Sequence, residues 1–306
     1  MTPITVQWLP SSSHFGPALA ESLGLAGHAI ELHRFPDGEL RATVGPVATT
    51  TIVCCSLDYP NEKLIALLLT AEALRRNGAS RLVLVAPYLG YMRQDTAFHP
   101  GEAISQRAIG TLLSNNFDRV VTFDAHLHRT SNLADIFPGA EADNLSAAPE
   151  IVALLRADPV AAASVVVGPD EESRNWVADI AGQLGLSYSV AQKVRKTDQS
   201  VQVTWSDRTQ FAGRPVVLID DIVSSGGTLI ACGEALTAAG ASSIQAIVVH
   251  ALFPHPLMPL FGRAGIRSIR STNSVQHPTN AMSLNNLLAH ALRNELDSLR
   301  LIGSQA

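Results

Sequence analysis

Two neighbouring carboxylates followed by a small-residue loop are the residues of this chain best suited to chemistry. Asp220 and Asp221 come directly after the apolar run 216–219. The loop after them contains small and hydroxyl residues: Ser224, Ser225, Gly226, Gly227 and Thr228. Glycines let backbone N–H groups approach an anion, hydroxyls add donors, and a helix N-terminus adds a favourable dipole. Because the two acids suit sugar hydroxyls or Mg²⁺ and not the phosphate itself, the pattern predicts binding of a phosphorylated sugar.

A strand and a helix must position this loop. Residues 216–219 are four apolar β-formers, typical of a strand buried on both faces, and we expect the strand to end at the two acids. Residues 229–239 have the pattern of a helix that begins after the loop. An ordinary strand-turn-helix with glycine in its turn is the alternative interpretation.

The strand-helix-strand order around this loop occurs twice in the chain. Residues 71–80 (AEALRRNGAS) and 233–242 (GEALTAAGAS) match at six of ten positions, and each predicted helix ends at a glycine, Gly78 or Gly240. Buried strands are predicted on both sides of each helix, which indicates an α/β fold of two duplicated domains with mainly parallel sheets. The first copy lacks the loop glycines, so we expect one sugar-phosphate site, in the second domain.

Turn-forming residues divide the two copies. We place the boundary after residue 146, which gives domains 1–146 and 147–306. A last amphipathic helix, residues 283–301, can pack on either domain.

Polar residues follow other predicted strands, where open α/β sheets bind ligands. Arg93 lies in the segment 87–95, and its planar guanidinium suits a phosphate, with a surface salt bridge as the alternative.

Asp124 and His126 end another predicted strand, and the alternation of side chains in an extended chain places both on one face. This pair could hold a hydrated Mg²⁺, or His126 could be structural. Asp170 also ends a predicted strand.

Two further segments are polar. Lys193, Arg195 and Lys196 give the stretch 192–198 three cations, which suits either a solvated surface or a mobile loop that closes on a polyphosphate. Residues 35–39 (FPDGE), taken alone, predict a surface turn.

Composition excludes several classes of protein. The chain has 306 residues, 46% hydrophobic and 16% charged, which indicates a globular protein and not a disordered one. Its net charge of −5 argues against a general nucleic-acid or membrane-surface binder. We expect no signal peptide and no transmembrane helix. Three cysteines in apolar segments, without CxxC spacing, predict reduced thiols and a cytoplasmic location.

Taken together, the motifs resemble those of the ribose-phosphate diphosphokinases, the phosphoribosyl-pyrophosphate (PRPP) synthetase family. Residues 220–228 resemble the PRPP loop, which type I phosphoribosyltransferases also have. The motifs follow one another in the order of the PRPP synthetase family, from residues 35–39 to residues 277–279. The N-terminal motifs distinguish the chain from type I phosphoribosyltransferases. Residues 101–105 (GEAIS) are closer to archaeal-type members.

The resemblance implies two tandem phosphoribosyltransferase-like domains and a role for each motif. It implies an ATP site, reached in part across a subunit interface, formed by Phe35, Asp37, Glu39, Arg93 and Gln94. It implies Mg²⁺ ligands at Asp124, His126 and Asp170. It implies that ribose 5-phosphate is bound by Asp220, Asp221, Ser224, Ser225, Gly226, Gly227 and Thr228. It implies a catalytic loop that carries Lys193 and Arg195.

The implied reaction transfers the pyrophosphoryl group of ATP to the 1-hydroxyl of ribose 5-phosphate, with Mg²⁺, and supplies PRPP for nucleotide biosynthesis. The implied protein is cytoplasmic, self-associates as a dimer or larger, and binds neither nucleic acid nor membranes. Two alternatives stay open: a type I phosphoribosyltransferase, and a non-catalytic regulatory homologue.

Overall fold

The computed structural model describes residues 4–127, 129–130, 132–197 and 200–296, with side chains described except at 193–197 and 200–202. These residues form two compact units. The first unit contains the described residues up to Leu145 and those from Leu284 onward, and the second contains Ser146–Ser283. The chain therefore returns to the first unit at its C-terminal end.

The first unit is a parallel sheet flanked by helices. Its strands are β1 (Ile4–Trp8), β2 (Gly27–Ala29), β3 (Glu31–Arg34), β4 (Leu40–Thr43), β5 (Thr50–Cys54), β6 (Arg81–Val85), β7 (Arg119–Phe123) and β8 (Glu141–Leu145). Its first helices are α1 (Gly16–Leu23), α2 (Pro60–Arg76) and α3 (Ser105–Ser114). The sheet order is β2-β1-β5-β6-β7-β8, with every pairing parallel, and β3 and β4 form a separate hairpin. The central strands β5 and β6 are buried apart from Arg81 and consist mainly of aliphatic and β-branched residues, as expected for strands covered on both faces.

The second unit repeats this architecture. Its strands are β9 (Val165–Gly168), β10 (Ser187–Val190), β11 (Gln192–Thr197), β12 (Ser200–Thr204), β13 (Pro215–Val223), β14 (Ser243–Ala251), β15 (Ile266–Thr272) and β16 (Asn280–Met282). Its helices are α4 (Ala148–Ala157), α5 (Arg174–Leu184), α6 (Gly227–Ala238) and α7 (Met258–Arg263), and α8 (Asn285–Ala291) belongs to the first unit. The parallel order is β10-β9-β13-β14-β15-β16, and β11 pairs with β12 in a separate hairpin.

The strand orders confirm the predicted duplication of an α/β domain. Each sheet strand of the first unit has a counterpart at the same place in the second sheet, and the two hairpins follow β2 and β10. Gly78 and Gly240, 162 residues apart, both adopt positive φ (105° and 82°) just after α2 and α6. Glycine at these positions ends each helix without the steric cost of a side chain in this conformation.

The C-terminal segment is tied to the first unit by a buried ion-pair cluster. α8 packs on α1, and Glu295 beyond it is only 5% exposed. Its carboxylate accepts hydrogen bonds from Arg81 (2.8 Å) and Arg119 (3.0 Å), which begin β6 and β7. Burial by itself would raise the pKa of Glu295, but the two guanidinium groups outweigh it and lower the pKa. Within the predicted helix 283–301 the structure has α8, and residues 297–301 lie outside the described residues.

In the part of the chain that the structure describes, no helix has the length and apolar character needed to cross a membrane.

Candidate functional site

The loop between β13 and α6 contains two adjacent glycines with different environments. Gly226 caps α6 in the left-handed conformation (φ 77°), and a Cβ there would lie 2.7 Å from Cζ of Phe261. At Gly227 a Cβ would have Ser225 Oγ, 3.8 Å away, as its nearest heavy atom apart from chain neighbours. Glycine at 226 is therefore required by the loop itself, whereas glycine at 227 keeps the surface in front of the helix open.

This opening has the physical features of an anion site. The first turn of a helix leaves backbone N–H groups without intrahelical partners, and the helix dipole is positive there. α6 begins at Gly227, two residues before the predicted start at Leu229, so the second loop glycine belongs to that first turn. Three hydroxyls belong to the same loop and turn, those of Ser224, Ser225 and Thr228. A phosphate at this position would meet both backbone and side-chain donors.

The two carboxylates lie within β13 and not at its end. The prediction that the strand ends at them is wrong, because parallel pairing with β14 continues through Ile222 and Val223. Neighbouring residues of a strand present their side chains on alternate faces, so the two acids have different surroundings. Asp220 is 8% exposed and Asp221 is half-buried. The more accessible Asp221 is thus the better placed of the two to reach a ligand directly.

Asp170 lies at the same carboxyl edge of this sheet, since it follows β9 and β9 pairs with β13. Ser173 donates from its backbone N to Asp170 Oδ1 (3.2 Å) and from Oγ to the Asp170 carbonyl (2.6 Å). A Cβ on Gly168 would collide with Ser173 Oγ, so this turn needs glycine there. Glu171 is exposed and pairs with Arg174 (2.7 Å), whose hydrogen bond lowers the pKa of the carboxyl. The Glu171 carboxylate beside Asp170 therefore has its own counter-charge.

Lys193 and Arg195 lie on β11. Residues 192–197 pair antiparallel with β12, with Lys193 opposite Val203 and Arg195 opposite Val201, so the backbone of this polar stretch has regular hydrogen-bond partners. The two interpretations of the stretch, a solvated surface or a mobile loop that closes on a polyphosphate, stay predictions. The side chains of both cations and residues 198–199 lie outside the described part of the chain.

In the first unit, Asp124 and His126 follow the end of β7. Asp124 has φ 34°, a conformation uncommon outside glycine. The prediction that an extended chain places both residues on one face is therefore wrong, since the strand ends one residue earlier. The backbone N of Asp124 donates to Leu145 O (2.8 Å), and Ala125 N donates to Asn144 Oδ1 (2.8 Å). β8 thus holds a turn from which two half-buried polar side chains project.

The loop after β6 carries the predicted nucleotide contacts. Arg93 is exposed, and the half-buried Gln94 accepts a hydrogen bond from Ser105 Oγ at its Oε1 (2.7 Å). The next side chain, Asp95, is 2% exposed and accepts from both the backbone N (3.2 Å) and the guanidinium (2.7 Å) of Arg129. These bonds fasten the loop after β6 to the loop after β7.

Arg129 holds the loop that carries Arg93 and Gln94, and the sequence did not single it out. Its position in a polar segment indicated only a solvent-facing side chain, and its side chain is indeed 62% exposed. The partner lies 34 residues away, so no local pattern indicated the contact.

Residues 35–39 form the turn of the β3–β4 hairpin. Phe35 N donates to Glu39 O (2.8 Å), and Asp37 Oδ1 accepts from Glu39 N (3.2 Å). Phe35 is 36% exposed, with its ring edge-to-face against His33 (4.7 Å between centroids). The turn presents an aromatic ring and two carboxylates to the surface of the chain.

Both halves of the chain match known family profiles. The N-terminal domain of ribose phosphate pyrophosphokinase matches residues 5–116, and the phosphoribosyl transferase domain matches residues 147–270. A ribose-phosphate pyrophosphokinase from Methanopyrus kandleri is 34% identical over 281 residues, which cover 91% of this chain and 95% of that protein. The chain belongs to the ribose-phosphate pyrophosphokinase family.

Further comparisons agree with this family. Ribose-phosphate pyrophosphokinase 2 from Archaeoglobus fulgidus is 32% identical over 92% of this chain and 97% of its own length. Both relatives are archaeal, which confirms the predicted archaeal-type resemblance. The crystal structure of phosphoribosylpyrophosphate synthetase from Mycobacterium smegmatis has the same fold, with a TM-score of 0.83 over 97% of this chain and 100% of that one, at 22% identity. The ribose-phosphate pyrophosphokinase fold therefore accounts for both units.

Proposed function

We propose that this chain transfers the β,γ-pyrophosphoryl group of ATP to the 1-hydroxyl of ribose 5-phosphate, giving PRPP and AMP. The observation that carries the proposal is the open glycine loop at the start of α6, with two carboxylates before it on β13. The family of the chain supports the transfer of a pyrophosphoryl group, since its relatives are ribose-phosphate pyrophosphokinases that match more than nine-tenths of this chain.

The reaction needs positioning more than acid–base chemistry. The anomeric oxygen attacks the β-phosphorus in line, and a new O–P bond forms as the sugar hydroxyl loses its proton. The bond from the β-phosphorus to the oxygen shared with the α-phosphorus breaks, and AMP leaves with that oxygen. Phosphoryl transfer of this kind is accelerated mainly by alignment and charge stabilisation.

The second unit is assigned the sugar phosphate. The 5-phosphate would lie on the first turn of α6, bound by the backbone of Gly226 and Gly227 and the hydroxyls of Ser224, Ser225 and Thr228. Asp221 would bind ribose hydroxyls, with Asp220 beside it in β13. This arrangement is supported by the space at Gly227, where a side chain is absent and the helix N-terminus is accessible.

The first unit is assigned the nucleotide. Arg93 and Gln94, at the carboxyl edge of its sheet, would contact ATP, and the hydrogen bond from Ser105 supports the orientation of Gln94. Phe35, Asp37 and Glu39 would reach the nucleotide of a neighbouring subunit, which their exposure on the hairpin turn supports. Lys193 and Arg195 would stabilise the charge that develops during transfer.

The metal proposed is Mg²⁺, with Asp124 and His126 as candidate ligands in the first unit and Asp170 as a candidate ligand in the second. Within each unit, the described residues include no group of three or more His, Cys, Asp or Glu placed to hold a metal ion. Mg²⁺ is usually bound by one or two carboxylates together with substrate phosphates and water, so this sparse donor set fits it. When bound, Mg²⁺ supplies charge neutralisation on the polyphosphate.

We propose a self-associating enzyme, a dimer or larger, that works in the cytoplasm on ATP and ribose 5-phosphate and binds neither nucleic acid nor membranes. The net charge of −5 supports the last part. None of the three cysteines forms a disulfide and all three are buried, which supports a reducing compartment. Burial raises the pKa of the Cys55 thiol to about 12, so it stays protonated and unreactive.

A product analysis tests the proposal. The purified chain is incubated with ATP, ribose 5-phosphate and Mg²⁺, and the products are identified by mass spectrometry. Equal amounts of AMP and PRPP are expected, and omission of ribose 5-phosphate should abolish both. Formation of ADP, or no AMP in the complete mixture, contradicts the proposal. Consumption of PRPP with a purine base and release of pyrophosphate would instead identify a phosphoribosyltransferase.

A further inference from the structure

The loop of residues 224–228, called the sugar-phosphate loop below, packs on an aromatic side chain from α7. Gly226 approaches the ring of Phe261 so closely that a Cβ on the glycine would lie 2.7 Å from Cζ and 3.0 Å from Cε1. Phe261 is buried, so its ring forms the floor under the loop at this point. Protein interiors are close-packed and transmit small displacements. A shift of this ring therefore moves the loop or leaves a gap beneath it.

Two more rings continue from Phe261 away from the loop. Phe253, just after β14, meets Phe261 edge-to-face with ring centroids 5.0 Å apart. Phe253 also meets the ring of His277, with centroids 4.5 Å apart and an interplanar angle of 62°. Both arrangements are favourable for aromatic pairs. Direct contacts thus connect His277, in the segment between β15 and β16, to the backbone of Gly226.

His277 is held by a directional series of hydrogen bonds. Asn280 Nδ2 donates to Ser271 Oγ (3.0 Å), and Ser271 Oγ lies 2.7 Å from Thr279 Oγ1. Thr279 Oγ1 lies 2.8 Å from His277 Nδ1, and His277 Nε2 lies 2.9 Å from the Phe253 carbonyl oxygen. A carbonyl only accepts, so Nε2 donates to Phe253 and carries the ring proton. The backbone N of Thr279 donates to Nδ1 (3.3 Å), so Nδ1 is an acceptor and the Thr279 hydroxyl also donates to it.

The neutral ring required by this series agrees with its surroundings. Burial lowers the pKa of His277, although the hydrogen bond to the Phe253 carbonyl acts in the opposite direction. The backbone N of His277 also donates to Asn280 Oδ1 (2.9 Å). The ring is therefore fixed relative to Phe253, and the backbone of His277 is fixed relative to Asn280.

We propose that His277 is a positioning residue for the sugar-phosphate loop. Through Phe253 and Phe261 it sets the position of Gly226 and thereby the affinity of the loop for the 5-phosphate group. The proposal rests on the proposed function of that loop. It differs from a purely structural role, in which loss of His277 lowers the stability of the second unit and changes neither substrate affinity nor the order of the loop.

Steady-state kinetics of His277→Ala and His277→Gln separate these roles. His277→Ala should raise KM for ribose 5-phosphate about tenfold, the cost of about one well-aligned hydrogen bond to a charged group, with KM for ATP and kcat within about twofold. The side-chain amide of Gln presents a donor NH₂ and an acceptor oxygen about as far apart as the two ring nitrogens, so His277→Gln should recover most of the affinity. His290→Ala, at an exposed histidine of α8 in the first unit, is the matched control and should have wild-type values.

Hydrogen exchange tests the connection from His277 to the sugar-phosphate loop without reference to activity. Amides of residues 224–229 should exchange faster in His277→Ala than in the wild type, and at the wild-type rate in His290→Ala. Wild-type enzyme that forms no PRPP refutes the proposed function, whereas the exchange of these amides still reports on the link from His277. A lower melting temperature in His277→Ala, with loop exchange and KM for ribose 5-phosphate unchanged, overturns the positioning role.

A second variant tests the positioning role of His277 if His277→Ala does not fold. Thr279→Val keeps the shape of the side chain and removes the hydroxyl that donates to Nδ1. We expect a rise of about threefold in KM for ribose 5-phosphate and faster exchange in the loop, because one neutral hydrogen bond of the series is lost. Wild-type values of both quantities in Thr279→Val overturn the proposal.

Discussion

Replacing Gly227 by Val tests phosphate binding by the sugar-phosphate loop with little disturbance of the fold. The glycine opens α6, has no positive φ, and a Cβ there meets Ser225 Oγ only at 3.8 Å. Valine is no worse than glycine as a helix former, since glycine costs about 1 kcal/mol and ordinary residues at most about 0.7 kcal/mol relative to alanine. The free energy of unfolding should therefore change by less than about 0.5 kcal/mol.

The same substitution places three carbon atoms in front of the helix N-terminus. A hydrogen bond to a charged group contributes about 1.5–3 kcal/mol, so displacing the phosphate from one backbone donor should raise KM for ribose 5-phosphate roughly 10- to 150-fold. KM for ATP should stay within about twofold, because the change removes only sugar-phosphate binding. The assay measures AMP release while each substrate is varied in turn.

Two other glycines provide controls. Gly182→Val, at an exposed and open position in α5, makes the same chemical change away from the loop and should leave both KM values unchanged. Gly226→Ala should instead destabilise the second unit by about 2–5 kcal/mol, from left-handed strain and overlap with Phe261. Equal increases in both KM values for Gly227→Val, or an unchanged KM for ribose 5-phosphate, would refute the assignment of the loop.

Three further predictions concern the proposed metal, the two basic residues of β11 and the C-terminal segment. His126→Ala should raise the Mg²⁺ concentration needed for half-maximal activity, and an unchanged Mg²⁺ dependence would make this histidine structural. Lys193→Ala and Arg195→Ala should each lower kcat about 10²- to 10³-fold with both KM values within a few-fold, and a normal kcat with weak ATP binding would contradict this. Glu295→Gln should lower the free energy of unfolding by about 3 kcal/mol at pH 7, because two guanidinium groups lose a buried partner. The folded state lowers the pKa of Glu295, so this stabilisation is complete above the unfolded pKa of about 4.3 and is lost as the pH falls through the folded pKa. Chemical denaturation at a series of pH values from 7 to 3 should show the free energies of unfolding of the wild type and Glu295→Gln converging as the pH falls.

Much of the fold follows from local sequence. The largely apolar stretch 81–86 predicts a buried strand, and the structure has β6 over Arg81–Val85. Gly78 and Gly240 predict the ends of two related helices, and both glycines have positive φ just after them. These features are predictable because burial on both faces selects aliphatic runs and helix ends select glycine, and both effects act within a few residues.

Element boundaries near the site were less predictable. Strand β13 continues four residues beyond its apolar run, because pairing with β14 compensates for the polar side chains of Asp220 and Asp221. The cation-rich stretch after Gln192 becomes a strand because β12 pairs with it. In both places a neighbouring strand, and not local propensity, decides the backbone conformation.

The sequence by itself determined the motifs, their order, the duplication and the loop that suits a sugar phosphate. Only the tertiary structure decided which side chains support them. It brings Arg129 to Asp95 and Glu295 to Arg119, and it separates the tasks of Gly226 and Gly227 through one ring of α7. The physical reason is that composition and periodicity report on each residue's exposure and local conformation, whereas a hydrogen bond or ring contact between distant segments depends on which elements become neighbours when the sheets assemble.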